Sequence, residues 1–301
     1  MVIPHYYIPF ESGNIYVHQV TQPGNDRAVV ILPGRSMSAR NFWHWNPGTG
    51  VTHAEQLAAQ GIDVYMIDAL GFGNSTGVPR LNYNRIYFAE QIATVLYHMP
   101  RYSQVSGLGF CNTTAVPLVL LAQGWLDSAV VMSPTIFDAA WCKHNPAMVR
   151  LWQRTATESG YWSTSVDELL EQQLKKISDT EIGQAQRVAT WHNEMTALTQ
   201  GYTSFNLDSW SAPRTWWLDR IHWPMTHDNP GFDTAQLNGK PILFTRGEYD
   251  VEVPESWLIR AAGYFVNANV ETHTIPGATH FALWEHGYQA AVDCVVEFLL
   301  R

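Results

Sequence analysis

Residues 106–114 read SGLGFCNTT, and this stretch decides the fold. The YSQV before it (102–105) alternates polar and apolar residues as a strand does, while the AVPLVLLAQG after it (115–124) is apolar enough for a buried helix. A strand that turns directly into a helix needs small residues where the two approach, and Gly107 and Gly109 supply them. A residue at the apex of such a turn is held in a strained conformation that lifts its side chain above the sheet. That residue is Cys111. The helix behind it presents its N-terminus to the sulfur, which favours the thiolate over the thiol.

A nucleophilic thiol needs a base to take its proton, and the base needs an acid to orient its ring. Two further segments provide them. In RGEYDVEVP (246–254), Asp250 follows a predicted strand and precedes a helix that starts near Pro254. In IPGATHF (275–281), His280 stands just after the last predicted strand, whereas His273 lies within that strand and reads as structural. Cys142 and Cys294 sit in apolar surroundings and read as packing residues.

Working outward, residues up to about 135 alternate strand-like and helix-like segments, the pattern of a mostly parallel sheet with helices on both faces. NIYVHQV (14–20), AVVILPG (28–34), DVYMIDALGFG (63–73), YSQVSGLGF (102–110) and DSAVVMSPT (127–135) are the strands. HAEQLAAQG (53–61) is a short helix closed by Gly61, and NRIYFAEQIATVLYHM (84–99) is a longer one with Ile86, Ala89, Ile92, Ala93 and Leu96 on one face. The pattern breaks near Phe137 and returns at KPILFTRGEYD (240–250). The roughly 100 intervening residues are too many for a structureless loop. Here STSVDELLEQQLKKIS (163–178) opens with a capping box from Ser165 to Glu168, and a second helix ends at Gly201. The chain therefore divides into a core of residues 1–136 and 237–301 and a mainly helical cap, 137–236, inserted into it. The closing elements are the strand PILFTRG (241–247), the helix PESWLIRAAGYF (254–265), the strand VETHTIPG (270–277) and a last helix through Leu300.

Composition excludes several classes. A hydrophobic content of 46% over 301 residues supports a large core. The net charge of −9 argues against a nucleic-acid binder. No apolar run is long enough to span a membrane, and the first residues lack the basic start and apolar stretch of a signal peptide. Three scattered cysteines make neither a disulfide framework nor a zinc site and point to a cytoplasmic protein with free thiols. His222, His227 and Asp228 invite a metal reading, but the two histidines do not share a helix face and no third ligand motif lies near, so no metal is expected. Trp191, Trp210, Trp216, Trp217 and Trp223 suit either a cap core or the lining of an acyl pocket, for which Trp191, Trp216, Trp217 and Trp223 are the candidates.

The order nucleophile, acid, histidine, each after a strand, resembles the α/β-hydrolase fold, through GFCNT, GEYDVEVP, GATHF and the loop DALGFGNSTG (68–77). The resemblance implies Cys111 as nucleophile, His280 as base and Asp250 as the orienting acid. It also implies an oxyanion hole from the backbone N–H groups of Asn112 and of Arg35 in PGRSMS (33–38). Two positions depart from the pattern. The nucleophile is Cys rather than Ser, and Thr113 replaces the second glycine of the turn, where it is expected to crowd the helix against the strand.

Within this fold, dienelactone hydrolases use a cysteine but are smaller and lack a large cap. In length, nucleophile and cap the chain is similar to the aminoacyl shuttles of nonribosomal peptide biosynthesis. That resemblance implies an acyltransferase that passes an aminoacyl or acyl group between carrier-protein pantetheine arms through an acylated Cys111. Its partner would be an acyl or aminoacyl carrier domain that brings the phosphopantetheine, with no cofactor of the enzyme's own. Lys175, Lys176, Arg187, Arg214 and Arg220 could form a docking patch for an acidic carrier, although acidic residues outnumber basic ones in the cap. The alternatives are a thioesterase, esterase or lactonase that uses the same three residues, and a non-catalytic binding protein on this fold.

Overall fold

A computed structural model of the chain describes residues 5–34, 39, 43, 50–77, 84–135, 161–165, 209–213, 232–284 and 288–301. Its centre is an eight-stranded sheet built from β1 (His5–Phe10), β2 (Gly13–Val20), β3 (Arg27–Leu32), β4 (Ile62–Asp68), β5 (Gln104–Phe110), β6 (Ser128–Met132), β9 (Pro241–Gly247) and β10 (Asn269–Ile275). The spatial order is β1-β2-β4-β3-β5-β6-β9-β10. β2 pairs antiparallel with both β1 and β4, and every other pairing is parallel. β7 (Tyr161–Ser165) and β8 (Ser209–Pro213), in the chain between β6 and β9, form a separate antiparallel pair.

The interior strands alternate between two apolar layers, as their near-continuous hydrophobic runs require. From β3, Ala28, Val30 and Leu32 enter one layer, while Val29 and Ile31 enter the other. The first layer is covered by α2 (Arg85–His98), α3 (Ala115–Ala122) and α4 (Glu255–Gly263). The second is covered by α1 (His53–Ala59) and α5 (Tyr288–Leu299), through Leu57, Val292, Val295 and Phe298. Burying one such aliphatic side chain stabilises by about 1.5–3 kcal/mol. Strand propensity spans only about 1 kcal/mol, so packing rather than intrinsic preference holds these strands.

Helix ends follow their local chemistry. Thr52 caps α1 by accepting from the Glu55 amide, and the Glu55 carboxylate accepts from the Thr52 amide in return. Asn84 caps α2 by accepting from the Tyr87 amide at 2.9 Å. The buried face of α2 is broader than its periodicity suggests. Phe88, Ala89, Ile92 and Val95 are fully buried, whereas Ile86, Ala93 and Leu96 are half-buried at its border. Packing against both α3 and β1 explains the difference. β1 itself went unrecognised in HYYIPF, and Ser165, expected to cap a helix, closes β7. The other residues of 137–231, with the helices expected there, lie outside the described residues.

The sheet places the ends of β5, β9 and β10 at the same, C-terminal edge, where open α/β sheets hold their ligands. β9 and the chain leaving β10 are in direct backbone contact there. A Cβ on Gly247 would sit 2.1 Å from the carbonyl oxygen of Thr279 and 2.5 Å from that of Ala278. The Glu248 and Tyr249 amides donate to the carbonyls of Ile275 and Ala278. Gly247→Ala is therefore expected to destabilise the protein by about 1–3 kcal/mol in urea unfolding, the cost of overpacking. A variant as stable as the wild type would contradict so close an approach.

Candidate active site

At the end of β5 the backbone turns through Cys111 with φ +55°, a left-handed conformation at a residue with a side chain. A short 3₁₀ turn, Cys111–Thr113, leads into α3. The close approach expected at the two glycines is present. A Cβ on Gly109 would lie 2.7 Å from the Thr113 carbonyl oxygen, and one on Gly107 would lie 2.5 Å from Leu126.

Thr113 is accommodated rather than crowded out. Its side chain is fully buried, and its hydroxyl accepts from the Phe110 amide (3.2 Å) and donates to the Phe110 carbonyl (3.1 Å). The Thr114 hydroxyl donates to the carbonyl of Cys111 itself at 2.8 Å. The place of the second glycine is thus filled by a residue whose hydroxyl braces the turn.

Above the turn the structure brings together Cys111, His280 and Asp250. His280 is completely buried, and its Nδ1 meets Asp250 Oδ2 at 2.9 Å. Its ring lies between Phe110 and Phe281, with both centroids at 5.2 Å. Burial is the largest single influence on the imidazole and pulls it toward the neutral form. The Asp250 carboxylate, then the Cys111 thiolate and the hydrogen bonds to both, outweigh it and push the ring up to about 10. The two partners thus favour the protonated ring.

The loop that carries Asp250 is fixed from within. Asp250 Oδ1 accepts from the amides of Glu252 (2.9 Å) and Val253 (3.0 Å). The buried Arg246 guanidinium donates to the carbonyls of Val253, Glu248 and Asp250. At the neighbouring edge, Asp68 braces the segment after β3 by accepting from the Ala39 amide at 2.8 Å, and it also accepts from the Asn74 amide at 2.9 Å. The DALGFGNSTG loop thus ties β4 to the segment that follows PGRSMS.

Sequence reasoning missed three contributors. Glu252 Oε2 stands 3.5 Å from His280 Nε2, and its side chain keeps 21% exposure beside a histidine that has none. Thr135, just beyond β6, places its hydroxyl 3.4 Å from Cys111 Sγ and donates to Asn112 Oδ1 at 2.7 Å. Arg246 is the third. Glu252 was in view within GEYDVEVP, but a loop has no period from which to tell where its side chain goes. Of the remaining candidates, Asn112 is buried in the turn directly after Cys111, and His273 lies exposed on β10. Arg35, Trp191, Trp216, Trp217, Trp223 and the His222, His227 and Asp228 cluster lie outside the described residues.

Cys111, Glu252 and His280 are also where a metal could be considered, since their donor atoms all lie within 4.8 Å of one another. Sulfur, nitrogen and oxygen suit zinc, but the edge of a zinc tetrahedron is only roughly 3.5 Å. Holding an ion would occupy both the thiol and the imidazole. Among the described residues no helix is long and apolar enough to cross a membrane.

Several known proteins share this arrangement of the chain. A thioesterase domain from the curacin biosynthetic pathway superposes with a TM-score of 0.66 over 100% of both chains at 12% identity. A monoglyceride lipase from Saccharomyces cerevisiae gives a TM-score of 0.67 at 15% identity, with 99% of this chain and 96% of that one covered. A thermophilic esterase from Thermogutta terrifontis gives 0.69 at 16% identity, with 99% and 98% covered. At such identities the likeness is one of fold. Comparison with curated protein sequences finds no match. The model of the alpha/beta hydrolase family, however, matches residues 29–293, almost the whole chain and all three segments that meet above β5. The chain belongs to the alpha/beta hydrolase family.

Proposed function

We propose that the protein is a cysteine-nucleophile hydrolase of activated acyl compounds, thioesters above all, working through an acyl group on Cys111. The observation that carries this reading is the left-handed Cys111 beside a buried His280 that is paired with Asp250. The Cys111 thiolate attacks the carbonyl carbon and forms a new C–S bond. The tetrahedral oxyanion collapses and breaks the bond to the leaving thiolate, which takes a proton from His280. Water then attacks the acyl-enzyme and gives a proton to His280, and the C–S bond to Cys111 breaks, releasing the acid. The Asn112 and Arg35 amides are assigned to the oxyanion.

Transfer to a second thiol is the other reading, and the identity of the nucleophile favours it. An acyl-Cys111 is itself a thioester, so exchange with a pantetheine thiol is nearly isoergic, which an oxygen ester on serine would not offer. A carrier-borne phosphopantetheine arm is the donor and acceptor this reading assigns. The neighbours, among them a thioesterase domain, an esterase and a lipase, support release to water as the first reading.

Intact-protein mass spectrometry after exposure to acyl pantetheine thioesters tests both. An acyl adduct on wild type that is missing in Cys111→Ala is expected. Decay of the adduct at a rate indifferent to added free pantetheine marks a hydrolase, and decay that requires the thiol marks a transferase. Absence of any adduct or turnover would leave the binding-protein alternative. Asp250→Asn should slow turnover by about 10²–10⁴-fold, as loss of the orienting acid does in such triads.

Iodoacetamide at pH 7 should label Cys111 well before Cys294, whose thiol is pushed up to about 11 by burial and by Glu297 and Glu271. Equal labelling would argue against a poised thiolate. Because that thiolate helps raise the imidazole, Cys111→Ser should make His280 titrate lower than about 10 when its ring protons are followed by NMR.

A further inference from the structure

β10 (Asn269–Ile275) is the last strand of the sheet, and among the described residues no chain pairs with its outer edge. Sheet edges are normally guarded by proline, lysine, a bulge or a covering segment, because their outward N–H and C=O groups invite another strand. β1, at the opposite edge, carries Pro9, which has no N–H to offer. β10 reads NVETHTI, with neither proline nor lysine, and keeps an unbroken register with β9 over its whole length. Glu271, Thr272 and His273 at its middle are all exposed.

The pairing with β9 fixes which residues offer the outward groups. The Asn269 amide donates to the Lys240 carbonyl, and the Ile275 carbonyl accepts from the Glu248 amide, so the odd-numbered residues turn toward β9. Alternate residues of a strand point their N–H and C=O to opposite sides. Those of Val270, Thr272 and Thr274 are therefore directed outward.

A second copy of the strand, related by a two-fold axis normal to the sheet, meets it antiparallel. Residues that face each other then project from the same face of the sheet, so the axis passes at a residue and never between two. Placed at Thr272, it sets Thr272 against Thr272 and Val270 against Thr274, and every outward N–H and C=O of the strand gains a partner. It also sets Glu271 against His273 in the positions where facing Cα atoms come to about 4.5 Å and side chains are nearest. An axis at Glu271 would oppose two carboxylates, one at His273 would oppose two histidines, and either leaves outward groups unpaired. Glu271 is already bound to Arg301 of its own chain, at 2.6 and 2.8 Å. A carboxylate has room for about four hydrogen bonds, so a histidine N–H adds to that pair without displacing it.

We infer that the β10 edge is a self-association surface whose partner is a second copy of this chain, paired antiparallel about a two-fold axis at Thr272. The two sheets continue into one. A stable dimer buries about 800 Å² on each partner, more than a strand edge provides. Ile259 on α4, Val266 between α4 and β10, and Leu300 after α5 are exposed apolar residues on neighbouring segments, and their burial adds to it. Because the strands run in opposite directions, the sheet edges that carry Cys111, Asp250 and His280 open at opposite ends of the dimer.

Sedimentation velocity of the full chain at physiological ionic strength, across micromolar concentrations, is expected to show a dimer. Thr272→Pro removes an outward N–H without taking a bond from β9 and should give a monomer. A charge series keeps the test independent of that variant's folding. His273→Lys, opposite Glu271, should tighten the dimer and His273→Glu should loosen it, each by about 2- to 30-fold in dissociation constant, from a pair that the axis repeats twice. Thr272→Cys places thiols on Cα atoms about 5.5 Å apart, within disulfide reach. Diamide, which takes up both thiol hydrogens, should join the copies through residue 272, as mapped by peptide mass spectrometry. A monomer at every concentration, a dimer that survives in Thr272→Pro or is indifferent to residue 273, or a cross-link that bypasses residue 272 overturns the inference.

Discussion

The left-handed backbone at Cys111 is the constraint on which the rest of the structure depends. For a residue with a Cβ this conformation costs about 1–2 kcal/mol, and φ +55° persists only because its surroundings leave no alternative. Gly109 lets the following helix come against the strand. The Thr113 hydroxyl bonds both peptide groups of Phe110, and the Thr114 hydroxyl holds the Cys111 carbonyl. Each such bond contributes about 1 kcal/mol, so the two threonines together are of the size needed to offset the strain. The turn points the sulfur into the space where the chain after β9 and the chain after β10 meet.

That meeting is itself enforced by backbone packing, since a glycine at 247 is the only residue that leaves room for the Ala278 and Thr279 carbonyls. The imidazole delivered there is shut off from water by Phe110 and Phe281. In such a setting charges act at short range and with little screening, so two flanking anions override the desolvation that would otherwise keep the ring neutral. A serine in place of Cys111 would weaken one of the two influences that raise the ring. The identity of the residue at 111 is therefore coupled to the state of the imidazole.

Much of this was legible in the chain. Strands such as AVVIL and AVVM announce themselves because burial on both faces demands unbroken apolar runs, and the glycines flanking Leu108 mark a turn that few other residues permit. Asp250 and His280 could be located because each follows a strand whose end is well defined. What escaped notice depends on contacts between distant elements. Thr135 matters only because β6 lies beside β5, and Arg246 only because its guanidinium folds back under its own loop. HYYIPF is half-exposed and polar enough to lack a strand's alternation, and it is ordered by pairing with β2. Thr113 read as an obstacle because a side chain's bulk is visible in a sequence, while the partners of its hydroxyl are not.

Arg246 has a consequence for how such a protein can diversify. By drawing three carbonyls of the acid loop onto one buried guanidinium, it makes the loop's shape independent of the side chains that project from it. Asp250 faces inward from that loop, whereas Glu252 stays partly exposed on a backbone anchored by its own amide. Position 252 can then exchange an acid for a base, an amide or an aliphatic residue without shifting the acid that serves the histidine. The loop behaves as a socket, in which a projecting side chain can be replaced while Asp250 stays in register with His280.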